Sequence, residues 1–438
     1  MPKRRSPAEE EEALRISNAI DEDLRREREI MRRRRNKDVK VMLLGQAESG
    51  KSTLQKQFQL YYSSKTLDEE RPSWRPIVYF NVLKAIRMIL DELDWQYGLG
   101  ASGGDPLSVS MLPDPGWVAE LGVLRNKLLP LVASEDALGA ELSGGVTVSG
   151  GRTGVYVRSG WQALISSGKG AWPLGESYRT AMTARQSAVT NIVAKTLGAS
   201  QDEIEQLWWH PGVQSLVKGN KLRLEEYAAF FLGNIRRIAQ PDFLPSNEDI
   251  LHVRLQTIGV TEHQFDINLG GTHYNWLLYD VGGARGQRHA WVPYFDDATA
   301  IIFLAPISAF DQYLEEDPRT NRIDDSLQLF TAICSNKLLA NAALVLMLNK
   351  TDLLRQKLEA GIKVRKYISS YGDRPNDFEE VSEYFRAHFI QVHRRKDISH
   401  RPLFLHFTSM LDIKATQSII INVGEAIMRS HLTKIGLA

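Results

Sequence analysis

The chain has 438 residues, with 54 Lys and Arg against 53 Asp and Glu, so its net charge of +1 argues against a basic nucleic-acid-binding domain. A hydrophobic share of 43% supplies the cores of two or three domains. The one cysteine, Cys334, excludes an intrachain disulfide and a cysteine-based zinc site, and suits a reducing compartment. The most apolar runs, Ala298 to Pro306 and Leu338 to Leu348, are too short to cross a bilayer, and the charged start lacks the apolar core of a signal peptide.

In chain order, residues 1–37 are dense in Glu and Arg, with Ile16, Ile20 and Leu24 at helical spacing. They read as one exposed amphipathic helix or as a solvated charged tail. Arg32 to Arg35 with Lys37 form a basic cluster suited to weak contact with anionic lipid. Pro2 and the lack of a nearby cysteine lead us to expect neither myristoylation nor N-terminal palmitoylation.

Val39 to Leu44 then reads as a buried strand running into Gly45-Gln46-Ala47-Glu48-Ser49-Gly50-Lys51-Ser52 and a helix start, which is a phosphate-binding loop. Gly45 and Gly50 let the backbone amides of Glu48, Ser49 and Gly50 curl towards phosphate oxygens. Lys51 is expected on the β- and γ-phosphates, Ser52 on a bound Mg²⁺, and Thr53 close by as a second hydroxyl.

Ile77 to about Trp95 has a helical pattern, and about 98–175 turns to Gly, Ser and Pro around one helical piece, Trp117 to Leu129. Helical periodicity returns from Tyr178 to Ile238. Residues 66–247 therefore read as an inserted all-α domain, with a flexible Gly/Ser-rich insertion at about 98–175. Gln264 to Leu269 and Tyr274 to Tyr279 read as a hairpin turning at Gly270-Gly271, and Ala300 to Ala305 and Ala343 to Leu348 as buried strands. A helix from about Lys414 to Leu432 closes the chain. Residues 38–65 and 248–438 thus describe a doubly wound α/β sheet with ligands at the carboxyl ends of its strands.

Two further motifs follow apolar strands. In Asp280-Val281-Gly282-Gly283 the carboxylate suits Mg²⁺ through water, and the Gly283 amide suits a γ-phosphate. In Asn349-Lys350-Thr351-Asp352 the Asp352 carboxylate suits the paired N–H donors of guanine, which adenine lacks, with Asn349 pinning the loop and the Lys350 stem covering the base.

With these motifs in this order, the chain resembles the heterotrimeric G protein alpha subunits over nearly its full length apart from the Gly/Ser-rich insertion. Supporting segments are Arg236 to Pro241, Asp249 to Gly259, Asp311 to Glu316, Thr320 to Arg322, His406 to Thr408 and the ending Ile435 to Ala438. The resemblance implies a Ras-like GTPase domain with an inserted helical domain, GTP or GDP bound between them with Mg²⁺, and a switch that couples receptors to effectors. It implies that Arg254 is an arginine finger, that Thr257 holds Mg²⁺, and that Leu251 and Arg254 flank the nucleotide. It also implies beta/gamma subunits as partners, a receptor at the C-terminal helix, and a cytoplasmic location at the inner face of the plasma membrane.

Several positions depart from the family pattern. Ala284 stands where the family has the glutamine that orients the attacking water, which predicts slow hydrolysis or a constitutively GTP-bound scaffold. Gln287, three residues on, is the candidate substitute. Thr408-Ser409-Met410-Leu411 replaces the family's base-capping segment, leaving the Met410 amide for the guanine oxygen. His289 and Ala290 replace basic residues that face the beta subunit, and Ile435 replaces the cysteine that toxins modify in some subfamilies.

Overall fold

The computed structural model describes residues 37–99, 115–142, 155–157, 176–219, 221–222, 224, 226–257, 259–269 and 271–434, together with residues 15, 18, 20–23 and 25–27. The described residues among 15–27 are helical and exposed. The Arg32 to Arg35 cluster, most of the Gly/Ser-rich insertion and the tail Ile435 to Ala438 lie outside the described residues.

The first strand, β1 (Asp38–Leu44), runs into the phosphate loop and helix α1 (Lys51–Tyr62). After α2 (Ser64–Glu70), the long α3 (Arg75–Tyr97) forms the spine of the inserted domain. Ile77, Val78, Val82, Ile86, Ile89 and Leu93 are fully buried along it, as its helical spacing requires. Around it pack α4 (Pro115–Val132), α5 (Glu135–Leu142), α6 (Glu176–Ala199), α7 (Gln201–Trp209), α8 (Pro211–Lys218), α9 (Glu226–Gly233) and α10 (Ile235–Ile238). One short strand, β2 (Val155–Val157), also falls in this region.

The chain re-enters the first domain through α11 (Asn247–His252), opened by a capping box in which Ser246 and Asp249 exchange side-chain and backbone hydrogen bonds. Arg237 grips the same buried Asp249 with two hydrogen bonds of 2.7 and 2.8 Å, fixing the end of the inserted domain to its exit. Strand β3 (Leu255–Thr257) follows, and then the hairpin β4 (Val260–Leu269) and β5 (Thr272–Val281), paired antiparallel from Leu269 opposite Thr272.

The remaining elements are β6 (Ala300–Pro306), α12 (Arg322–Cys334), β7 (Ala343–Asn349), α13 (Thr351–Glu359), α14 (Phe378–Lys396), β8 (Leu403–Thr408) and α15 (Ile413–Lys434). The sheet order is β4-β5-β1-β6-β7-β8, parallel except for the β4/β5 hairpin. Every residue of β6 and β7 is buried, which is why both read as unbroken apolar runs. One apolar core lies on each face of this sheet and a third fills the inserted domain. The loops after β1, β5, β7 and β8 therefore meet along the carboxyl edge of the strands, where a doubly wound sheet binds ligands.

Candidate functional site

The phosphate loop is built by backbone conformations that its glycines permit. Gly50 sits at φ +100°, and a Cβ there would fall 2.3 Å from the Asn349 amide nitrogen. Glu48 also takes a positive φ, 61°. Lys51 is buried at the start of α1, where its Nζ donates to the carbonyls of Gly45 (3.0 Å) and Gln46 (2.7 Å), which folds the loop around the ammonium. Burial pulls Lys51 down to about 8, with Arg288 and Arg322 adding to the fall and Asp280 and Glu48 opposing it.

The loop after β5 closes on the phosphate loop from above. The Ser52 hydroxyl donates to Asp280 Oδ2 at 2.6 Å, bringing two hard oxygens together beside Lys51. A Cβ on Gly283 would fall 2.4 Å from the Ala47 nitrogen, so only glycine allows the two backbones to approach this closely. These donors fit a hard divalent cation such as Mg²⁺, which binds through one or two protein oxygens, phosphates and water. Among the described residues no group of three or more His, Cys, Asp or Glu is arranged to hold a metal ion by itself.

The third component is the loop after β7. Asn349 is buried, its amide donating to Ser49 O (2.8 Å) while its Oδ1 accepts from the Thr408 hydroxyl (3.0 Å). One side chain thereby ties the phosphate loop, the Asn349 to Asp352 loop and the end of β8 together. Lys350 takes a positive φ of 65°, and Asp352 lies half-buried in the first turn of α13. Met410 is buried, its carbonyl held by Gln57 Nε2 at 2.8 Å.

Arg254 enters from the inserted-domain side, and its Nη2 meets Glu48 Oε1 at 2.6 Å. Burial pushes the Glu48 carboxyl up, but the charges of Arg322, Arg254 and Lys350 outweigh it and hold the group at about 2. Leu251 is buried on α11, and Thr257 lies on β3 three residues after Arg254. Thr53 is half-buried in the first turn of α1. Ala284 precedes a 3₁₀ helix, Arg285–Tyr294, in which the half-buried Gln287 stands one turn on with its backbone N–H bonded to Ala284 O at 2.9 Å.

Sequence reasoning missed the role of Arg322. Buried at the start of α12, it donates to Gln46 Oε1 (2.8 Å), Glu48 Oε2 (2.8 Å), Gln312 Oε1 (3.0 Å) and the Ala47 carbonyl. Gln46 answers with its Nε2 on Arg322 O (2.6 Å) and on the Ser326 hydroxyl. The available signal was Asn321, a helix cap that fixes which way Arg322 faces as α12 begins. Arg288 and Trp291 also turn inward, Arg288 onto buried Asp325 at 2.6 Å and Trp291 onto Gly282 O at 2.9 Å, leaving His289, Val292 and Tyr294 exposed.

This arrangement of a phosphate loop, a D-x-x-G loop and an N-K-x-D loop at one sheet edge beside an inserted helical domain defines a guanine-nucleotide-binding signalling protein. The chain belongs to the G-protein alpha subunit family, whose pattern it matches over residues 14–427. It is 30% identical to the guanine nucleotide-binding protein alpha-4 subunit of Mycosarcoma maydis, over 91% of this chain and 83% of that one. It is 28% identical to the alpha-1 subunit of the same organism, over 96% of each chain. It is also 28% identical to subunit alpha-13 of Homo sapiens, over 98% of this chain and 94% of that one. No described helix is long and apolar enough to cross a membrane.

Proposed function

We propose that the protein alternates between GDP-bound and GTP-bound states, couples a receptor to an effector, and hydrolyses GTP slowly. The observation that carries this reading is Asn349, whose side chain joins the phosphate loop to the loop bearing Asp352 and to the end of β8. Phosphate and base recognition are thereby held in one rigid frame. Lys51 and the loop amides of Glu48, Ser49 and Gly50 would hold the β- and γ-phosphates, and Asp352 with the Met410 amide would read guanine.

Ser52, Asp280 and Thr257 would hold Mg²⁺, which, when bound, offsets charge on the phosphates. Arg254 would present its guanidinium to the γ-phosphate once it exchanges Glu48 for the nucleotide. The Gly283 amide would meet the same group, so the segments carrying Thr257 and Gly283 order when it is present and relax when it leaves. Beta/gamma subunits are proposed as partners at the exposed face of the Arg285–Tyr294 helix, and a receptor at α15.

The methyl of Ala284 cannot orient a water, which also favours a second reading, a constitutively GTP-bound scaffold. Single-turnover phosphate release from GTP-loaded protein separates them. We expect a slow but measurable rate that Ala284→Gln raises roughly tenfold or more, since one well-placed polar group is worth about 10²-fold in a preorganised site. Adding Arg254→Cys should lower it again. No phosphate release from wild type would support the scaffold, whereas a fast wild-type rate abolished by Gln287→Ala would place water orientation at Gln287 and overturn slow hydrolysis.

A further inference from the structure

The strand that follows Arg254 and carries Thr257 does not belong to the main sheet. Among the described residues β3 pairs only with β2, in parallel, with Val155 opposite Leu255, Tyr156 opposite Gln256 and Val157 opposite Thr257. β2 lies against α3 and α5, so it is anchored in the inserted domain. Its sequence, Val155-Tyr156-Val157, is a β-favouring triplet in a stretch otherwise rich in Gly and Ser.

A second tie comes from the same domain. Buried Asn81 on α3 accepts from the Arg254 backbone N–H at 2.8 Å and donates to the Arg254 carbonyl at 3.3 Å, while also bonding its own helix at Ile77 O. From the other domain, Lys56 on α1 holds the carbonyls of Ile250 and Val253, both at 2.8 Å, up to the residue before Arg254. The hand-over between domains falls at Arg254. Before it the backbone is fastened to α1, and from it onward to Asn81 and β2.

We propose that β2 is a positioning element for the switch strand: by backbone pairing it makes Leu255 to Thr257 part of the inserted domain, and so sets how fast bound nucleotide leaves. This rests on the reading that nucleotide lies among the loops described above. With β3 zipped to β2, Arg254 and Thr257 can leave the phosphates only if the inserted domain moves with them or the strand pair opens. Each ladder hydrogen bond lost makes the second route easier.

The test uses the full chain loaded with a fluorescent GDP analogue and chased with excess GDP. In a parallel ladder alternate residues bond to the partner, so Val155→Pro and Tyr156→Pro between them remove a ladder N–H whichever phase holds. At least one should speed release roughly 3- to 30-fold, the range that one or two net backbone hydrogen bonds give, with guanine preference unchanged.

Because Cys334 is the only cysteine and is buried, a Tyr156→Cys, Gln256→Cys pair can be oxidised selectively. Paired strands lie about 4.8 Å apart, within disulfide range. The cross-linked protein should release nucleotide more slowly than wild type, and reduction should restore the rate. A merely structural strand would lower the melting temperature of the proline variants without touching release. Wild-type release in both proline variants, or a cross-link that forms without slowing release, would overturn the proposal. Failure of wild type to bind any guanine nucleotide would instead overturn the reading of the site on which it rests.

Discussion

Glu48 is held by two guanidiniums, Arg322 on one carboxylate oxygen at 2.8 Å and Arg254 on the other at 2.6 Å. Its carboxyl falls from the ordinary 4.5 to about 2 because these cations outweigh the burial that pushes it up. A lowered carboxylate contributes stability above its unfolded value and loses it as pH falls through the folded one. The window here runs from about 4.5 down to about 2. At about 1.4 kcal/mol per unit the contribution at neutral pH is on the order of 3 kcal/mol. Glu48→Gln should therefore melt lower than wild type near pH 7, and the gap should close by about pH 2. A gap that stays constant across thermal melts at both pH values would remove Glu48 from the balance. At the same scale, Lys51→Ala should abolish detectable Mg·GTP binding, because Lys51 is the lysine of residues 45–52 and the proposed charge-assisted contact to phosphate would be lost. Equilibrium binding at wild-type affinity would contradict that.

Among the elements, the loops at the carboxyl edge act as one unit because Asn349 satisfies groups on two of them. Asn349→Ala leaves Ser49 O and the Thr408 hydroxyl without that partner, at about 1–3 kcal/mol for each buried group stranded. The variant should melt several degrees lower without nucleotide and regain part of the loss with GDP, as scanning calorimetry would show. An unchanged melting temperature would mean that the loops are held independently. These loops were legible in the sequence because each carries a fixed spacing after an apolar strand. The strands β6 and β7 were legible for a related reason, being buried on both faces. β8 was not identified as a strand, since its residues are mostly half-buried and their alternation is weak. The grip of Arg322 on Gln46 joins residues 276 positions apart, a register that no local pattern encodes. β2 went unnoticed because three residues inside a Gly/Ser-rich stretch carry too short a pattern to stand out, and its partner is also three residues long.

At the scale of the whole molecule, the inserted helices and the Ras-like sheet are tied together near Arg254, through Asn81 and Lys56 as well as Glu48. The Ras-like sheet contributes the three loops proposed for phosphate, metal and base, and Arg254, just after the inserted domain, meets the first of them through Glu48. Arg237 and buried Asp249 form an ion pair at 2.7 Å close to where the chain leaves the inserted helices. The proposed guanine preference rests on Asp352 accepting from a pair of N–H donors that adenine does not offer together. The most direct measurement is competition for the protein loaded with a fluorescent GDP analogue, in the presence of Mg²⁺. GTP and GDP should displace the analogue at comparable low concentrations and ATP should not, and Asp352→Asn should narrow that preference. Displacement by ATP as readily as by GTP would contradict the account of this protein as a guanine-nucleotide switch.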